Sequence, residues 1–138
     1  MNKELEEKKV YFNRYKEANE KYNSLKKQEK FLRMRLYGTK AIVYSDTPRG
    51  SRKTDLSDEM VRLEIILERI EAAKKDMLNA CADIESVIVN IPDGIESSII
   101  HMRYIELLSW EEIADQLGYS RSQVSRIHNK ALESLEIA

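Results

Sequence analysis

Hydrophobic positions along this chain recur at three- and four-residue spacings almost throughout, a pattern that predicts helices rather than strands. The most regular stretch is 58–91, where Met60, Leu63, Leu67, Ile70, Lys74, Met77, Cys81, Ile84, Ile88 and Ile91 alternate by three and four. All but Lys74 are apolar, which predicts a long helix whose seam pairs with another helix, Lys74 being a polar break of the kind that fixes register. Ser57 or Asp55 can cap its start, with Asp58 and Glu59 favourable in the first turn. Residues 3–36 contain no Gly or Pro and predict a second long helix. Its seam, Met1, Tyr11, Tyr15, Ala18, Tyr22, Leu25, Leu32 and Leu36, is imperfect: Glu4, Lys8 and Glu29 interrupt it, and Val10, Phe12 and Phe31 lie beside it. Each helix would run roughly 50 Å at 1.5 Å per residue. Neither buries its stripe alone, so the two either fold back as an antiparallel hairpin or pair with a second subunit.

Between them, residues 37–57 read YGTKAIVYSDTPRGSRKTDLS and break the helical pattern. Gly38 suits the end of the first helix, and Pro48 with Gly50 marks a turn. Lys40, Arg49, Arg52 and Lys53 make this segment basic. It reads as a flexible connector or, more sharply, as an arm for a phosphate backbone. A second break at Pro92, Asp93 and Gly94 closes the long-helix region and opens a third helix over 95–108, with Ile95, Ile99, Met102, Ile105 and Leu108 facing inward.

The last thirty residues hold the densest local signals. Ser109 with Glu112, three positions on, makes a capping box, and Ile113, Ala114 and Leu117 form one apolar face behind it. Gly118 suits the left-handed residue that stops a helix. Ser120 with Gln123 makes a second box, followed by the stripe Val124, Ile127, Ala131 and Leu135. Two boxed helices around a glycine, with small Ala114 allowing close approach, define a helix-turn-helix. Such a motif usually presents its second helix to the DNA major groove. A plain helical hairpin without a DNA role is the simpler alternative.

Composition narrows the class. Only 4 Gly and 2 Pro among 138 residues, with 34% charged residues, suit long helices. No apolar run approaches the ~18 residues of a membrane span, and the charged N-terminus is unlike a secretory signal. The single Cys81 sits in a helical stripe and fits a buried free thiol in a reducing, cytoplasmic setting. One Cys and two His offer no zinc spacing, and the sequence calls for no cofactor. There is no glycine-rich phosphate loop, no nucleophile beside a base and no acidic metal cluster, so no enzyme is expected. Charge is uneven: residues 1–57 carry 15 Lys and Arg against 8 Asp and Glu, whereas 58–91 and 92–138 each carry 4 against 8. An acidic helix-turn-helix module binds phosphates weakly alone. Either the basic N-terminal third assists it, or dimerisation does, or something else places the module on DNA.

From Ile91 to Leu135 the chain resembles region four of RNA polymerase sigma factors. The carrying residues are Ile91-Pro92-Asp93, Met102 to Glu106, Ser109 to Ala114, Leu117-Gly118-Tyr119-Ser120, and Val124 through Leu132. The first two thirds do not resemble a sigma factor. With its long-helix front, YGTKAIVYSDTPRGS segment and sigma-like end, the whole chain is similar to small phage-encoded regulators of Gram-positive bacteria, the ArpU- and RinA-type late-transcription activators. That resemblance implies DNA binding near late-gene promoters and contact with host RNA polymerase.

The expected architecture is therefore all-α: a long helical hairpin or coiled coil over 1–91, then a sigma region-four-like helix-turn-helix over 92–138. The expected activity is sequence-specific binding of double-stranded DNA by a homodimer, paired through 58–91, without membrane attachment. Arg121, Ser122, Gln123, Ser125, Arg126 and Asn129 occupy the outer face at the start of the second helix, where Arg pairs with guanine and Gln or Asn with adenine. Lys130 and His128 serve the flanks, His128 being more often a partly packed helix residue than a contact; Ser109 and Ser120 contact phosphate through helix N-termini, and Trp110 packs over the first helix of the pair. Lys40, Arg49, Arg52 and Lys53 are the candidate backbone contacts. The tyrosine stripe reads as core packing rather than as a base-stacking surface. Two other functions remain open: a module that docks on RNA polymerase, and a DNA-packaging recognition subunit.

Overall fold

The computed structural model describes residues 3–38 and 49–135, and side chains over 3–38 and 57–135. Within them the chain is helical, with no strand. Six helices follow in order: α1 (Lys3–Phe12), α2 (Arg14–Tyr37), α3 (Arg49–Ile88), α4 (Gly94–Tyr104), α5 (Trp110–Leu117) and α6 (Arg121–Ser134). The break between α1 and α2 is slight, since the Asn13 N–H still donates to Lys9 and the Asn13 carbonyl still accepts from Glu17. Gly38, at φ 63°, follows α2 in the left-handed region that favours glycine.

The expected connector over 37–57 is shorter than the pattern suggested, because α3 already begins at Arg49. Pro48 directly precedes it. A proline there loses nothing, since first-turn N–H groups lack intrahelical partners anyway. Arg49, Arg52 and Lys53 are thus helical in backbone rather than part of a loop, while Lys40 lies outside the described residues.

The chain packs as two compact units, Met1–Ala18 with Asp76–Ala138, and Asn19–Lys75. In the second, Leu25, Leu32 and Leu36 of α2 bury against Leu63, Ile66, Ile70 and Ala73 of α3. The helices run antiparallel, with Arg35 near the end of α2 paired at 3.1 Å to Glu59 near the start of α3. The stripe is therefore closed within the chain.

The buried register of α3 differs from the expected one. Leu63, Ile70, Ile84, Ile88 and Ile91 are buried as the pattern implied, but between them the core takes Glu59, Ile66, Ala73 and Ala80. Met60, Leu67 and Lys74 are exposed and Cys81 is half-buried. Both registers share every seventh residue. The observed one admits small Ala73 and Ala80, which let the helices approach, and turns Lys74 to water instead of into a seam. Its own polar position is Glu59, whose Oε1 meets Arg35 and Arg62 at 3.1 and 3.3 Å.

The other unit wraps two clusters around α4. Ile99 faces Ile113, Ala114 and Val124 of the helix-turn-helix. Ile100 and Tyr104, on the opposite side, join Phe12, Ile84, Ile88, Ile91, Ala131, Leu132 and Leu135. Residues of α1 and of the end of α3 thus share a core with α6. Phe12, placed beside the seam by its spacing, is fully buried here. Helix α4 ends at Tyr104 rather than Leu108, and Leu107, at φ 61°, turns the chain toward α5.

Lys8 fastens α1 to α6. Spacing marks it as an interruption of a stripe, yet it is buried, and its Nζ donates to the carbonyls of Leu132 at 2.8 Å and Glu133 at 3.2 Å. A cation on the last carbonyls of a helix satisfies orphan acceptors and complements the negative end of the dipole. Among the described residues no helix is long and apolar enough to cross a membrane.

Candidate nucleic-acid interface

The turn between α5 and α6 follows from local chemistry. The Ser109 Oγ accepts from the Glu112 N–H at 3.1 Å, and the Ser109 N–H donates to Glu112 Oε1 at 2.8 Å. Ser120 and Gln123 repeat the exchange at 3.1 and 2.9 Å. Gly118 stands between them at φ 72°, with nothing near the position a Cβ would take. A side chain there would thus cost only backbone strain, about 1–2 kcal/mol. The Glu112 carboxyl is held below its usual range by these bonds to Ser109.

Helix α6 then shows two faces. Val124, His128, Ala131 and Leu132 are buried, while Arg121, Ser122, Gln123, Ser125, Arg126 and Lys130 are exposed and Asn129 is half-buried. At 3.6 residues per turn, Ser122, Ser125, Arg126 and Asn129 share about 100° of arc. Arg121 and Lys130 flank that arc. The expected stripe shifts slightly, with Ile127 only half-buried and His128 and Leu132 replacing it in the core. Despite the acidic module, α6 itself carries Arg121, Arg126 and Lys130 against the single carboxylate Glu133.

His128 is a structural residue rather than a flank contact. Its Nε2 lies 2.6 Å from the Tyr104 hydroxyl and its Nδ1 3.0 Å from Asn129 Oδ1. An amide oxygen only accepts, so Nδ1 carries the proton and Nε2 accepts from Tyr104. Burial pushes the Tyr104 hydroxyl up to about 12, which keeps it a donor. Trp110 stands edge-on to the imidazole at 4.8 Å between centroids, and Arg103 lies over the indole at 4.3 Å. Arg103 also donates to the Leu108 carbonyl at 3.0 Å, bracing the segment that leads into α5. Spacing alone showed Trp110 as packing, but not this network, whose members lie on three helices.

Burial lowers the His128 pKa from 6.5 to about 4; the bond to Asn129 opposes this, and the charges of Lys9 and Arg103 add to it. The unfolded chain binds a proton that the folded one refuses. Stability from this site is therefore complete above about 6.5 and is lost as pH falls toward 4, by about 3 kcal/mol in all. The His128 ring should titrate near 4 by NMR. A midpoint above 6 would contradict its burial.

The same network limits what the face can read. Asn129 Oδ1 is held by His128, and Gln123 Oε1 accepts from the Ser120 N–H. Bidentate pairing with adenine needs both the oxygen and the nitrogen of an amide. Each amide oxygen has one of its two lone pairs engaged, and the arc adds donors: Arg121, Arg126, the Asn129 amide nitrogen and the serine hydroxyls. Ser109 and Ser120 spend an oxygen lone pair on their caps and keep the O–H to donate.

The arrangement defines a helix-turn-helix with an exposed, donor-rich second helix. Residues 93–136, roughly the C-terminal third, match the family model described as Sigma-70, region 4, a DNA-binding helix-turn-helix module. Neither a curated protein nor a solved structure matches the chain.

Proposed function

We propose that this protein is a sequence-specific regulator of transcription that binds double-stranded DNA through α6. The observation that carries the reading is the exposed arc of Ser122, Ser125, Arg126 and Asn129, flanked by Arg121 and Lys130, on a helix whose start is fixed by a capping box. Arg121 and Arg126 read guanine edges, Gln123 serves mainly the cap, and Ser109 and Ser120 donate to phosphates. Lys40, Arg49, Arg52 and Lys53 supply further backbone contacts. The resemblance to ArpU- and RinA-type regulators favours a phage or prophage origin, a late-gene role in the cytoplasm and contact with host RNA polymerase.

The protein acts as a homodimer, as half-site recognition by helix-turn-helix proteins favours. Because the α2–α3 stripe is closed within the chain, pairing uses the outer face of the hairpin, where Phe31 and Ile65 line a groove with Arg62 and Arg69. Sedimentation should give a dimer that Phe31→Glu dissociates; a monomeric wild type would reject this pairing.

A second reading, docking on polymerase without direct DNA contact, is favoured by the excess of carboxylates over cations in residues 92–138. Binding of the purified protein to DNA, with affinity falling steeply as salt rises, would reject it. Binding to polymerase but not to DNA would reject the leading reading. A packaging subunit would instead form a large ring.

A further inference from the structure

The cleft beside the start of α6 is not built by the helix-turn-helix alone. Arg121, Ser122, Ser125 and Asn129 line it on one side, and Lys9 of α1 closes the other, with Trp110 and His128 lining it as well. Lys9 lies outside residues 93–136, the segment with the family match. Its position is set by neighbours on both sides: Lys8 donates to the end of α6, and Phe12, one turn on, is fully buried against Tyr104, Ala131 and Leu132. The Lys9 side chain is one-third exposed at 34%, and its Nζ lies 3.6 Å from Glu6, itself 70% exposed. Such a loose surface pair is weak and readily exchanged for a stronger anion.

We propose that Lys9 is a phosphate-backbone contact, so that α1 forms the second wall of the DNA-binding surface. This rests on the DNA reading above. Lys9 gives an acidic module a cation that its own sequence does not contain. A phosphate seated between Lys9 and the first turn of α6 meets an ammonium, the Ser122 hydroxyl and the positive end of the helix dipole. A contact of this type fixes register on the duplex and carries no sequence information. Lys9 therefore differs from Arg126 in what its loss should do.

The test compares wild type, Lys9→Gln, Lys9→Arg and Arg126→Ala, all full-length, on a selected duplex and a scrambled one across a salt series. Lys9→Gln should weaken both duplexes alike, roughly five-fold near 0.15 M salt, and make the log–log salt slope shallower by about 1. Lys9→Arg should restore both, with melting temperatures unchanged. An unaltered slope and affinity in Lys9→Gln, while Arg126→Ala loses the selected duplex, would overturn the inference and leave the DNA reading standing. Failure of Lys9→Arg to restore binding would assign Lys9 a structural role and overturn it too. If the wild type binds neither duplex, the DNA reading fails and this inference with it.

Discussion

Phe12→Ala should destabilise the helix-turn-helix unit by about 3–5 kcal/mol, the usual cost of emptying a fully buried phenylalanine site. Phe12 is 0% exposed, 5.2 Å between ring centroids from Tyr104, and clusters with Ile84, Ile88, Ala131 and Leu132. The site draws on α1, α3, α4 and α6, so no one helix can shift to fill it. Val10→Ala is the surface control. Val10 is 68% exposed, and its truncation should change stability by no more than about 0.5 kcal/mol, as for most surface substitutions. Urea denaturation midpoints of the two variants check the contrast. Equal midpoints would mean that α1 does not share a core with α6. Phe12→Ala should also weaken DNA binding, since it frees the helix that carries Lys9 and Lys8.

Arg126→Ala should cost about 1–3 kcal/mol of binding to the preferred site, the loss expected for a base-reading arginine. Its side chain is exposed on the arc of α6, so the fold should be untouched. Discrimination should fall along with affinity, because a guanine contact distinguishes sites whereas a phosphate contact does not. Titrations against the preferred duplex and a single-base variant check both. Equal affinity of mutant and wild type for the preferred duplex would reject this role for Arg126.

The legible part of the chain was the part governed by short-range rules. Ser109 with Glu112, Gly118, and Ser120 with Gln123 act over three or four residues, and their geometry follows the sequence closely. The all-α class was equally plain, because periodicity and scarce Gly and Pro point the same way. The register of α3 was not. Two three-four alternations share Leu63, Ile70, Met77, Ile84 and Ile91, and the choice between Leu67 and Ile66, or Lys74 and Ala73, depends on how closely α2 approaches. The role of Lys8 was hidden for a different reason: its acceptors are 124 and 125 residues away. Seen within α1 it only spoils a stripe; seen against α6 it completes a helix end. His128 likewise owes its neutrality to burial, and the rings packed on it, Tyr104 and Trp110, belong to other helices. Long-range placement also bears on the charge balance, since Lys9 brings to α6 a cation that the acidic segment 92–138 does not hold.

The central claim, that α6 reads DNA sequence, is tested most directly by enrichment of fragmented host and prophage DNA on the purified protein, followed by sequencing, beside an Arg121→Ala/Arg126→Ala double variant. Both arginines are exposed, so the variant should fold normally, which its circular dichroism verifies. A few strongly enriched fragments with the wild type, lost with the double variant, are the expected result. No enrichment by a folded wild type, or enrichment that the double variant retains in full, would contradict the account.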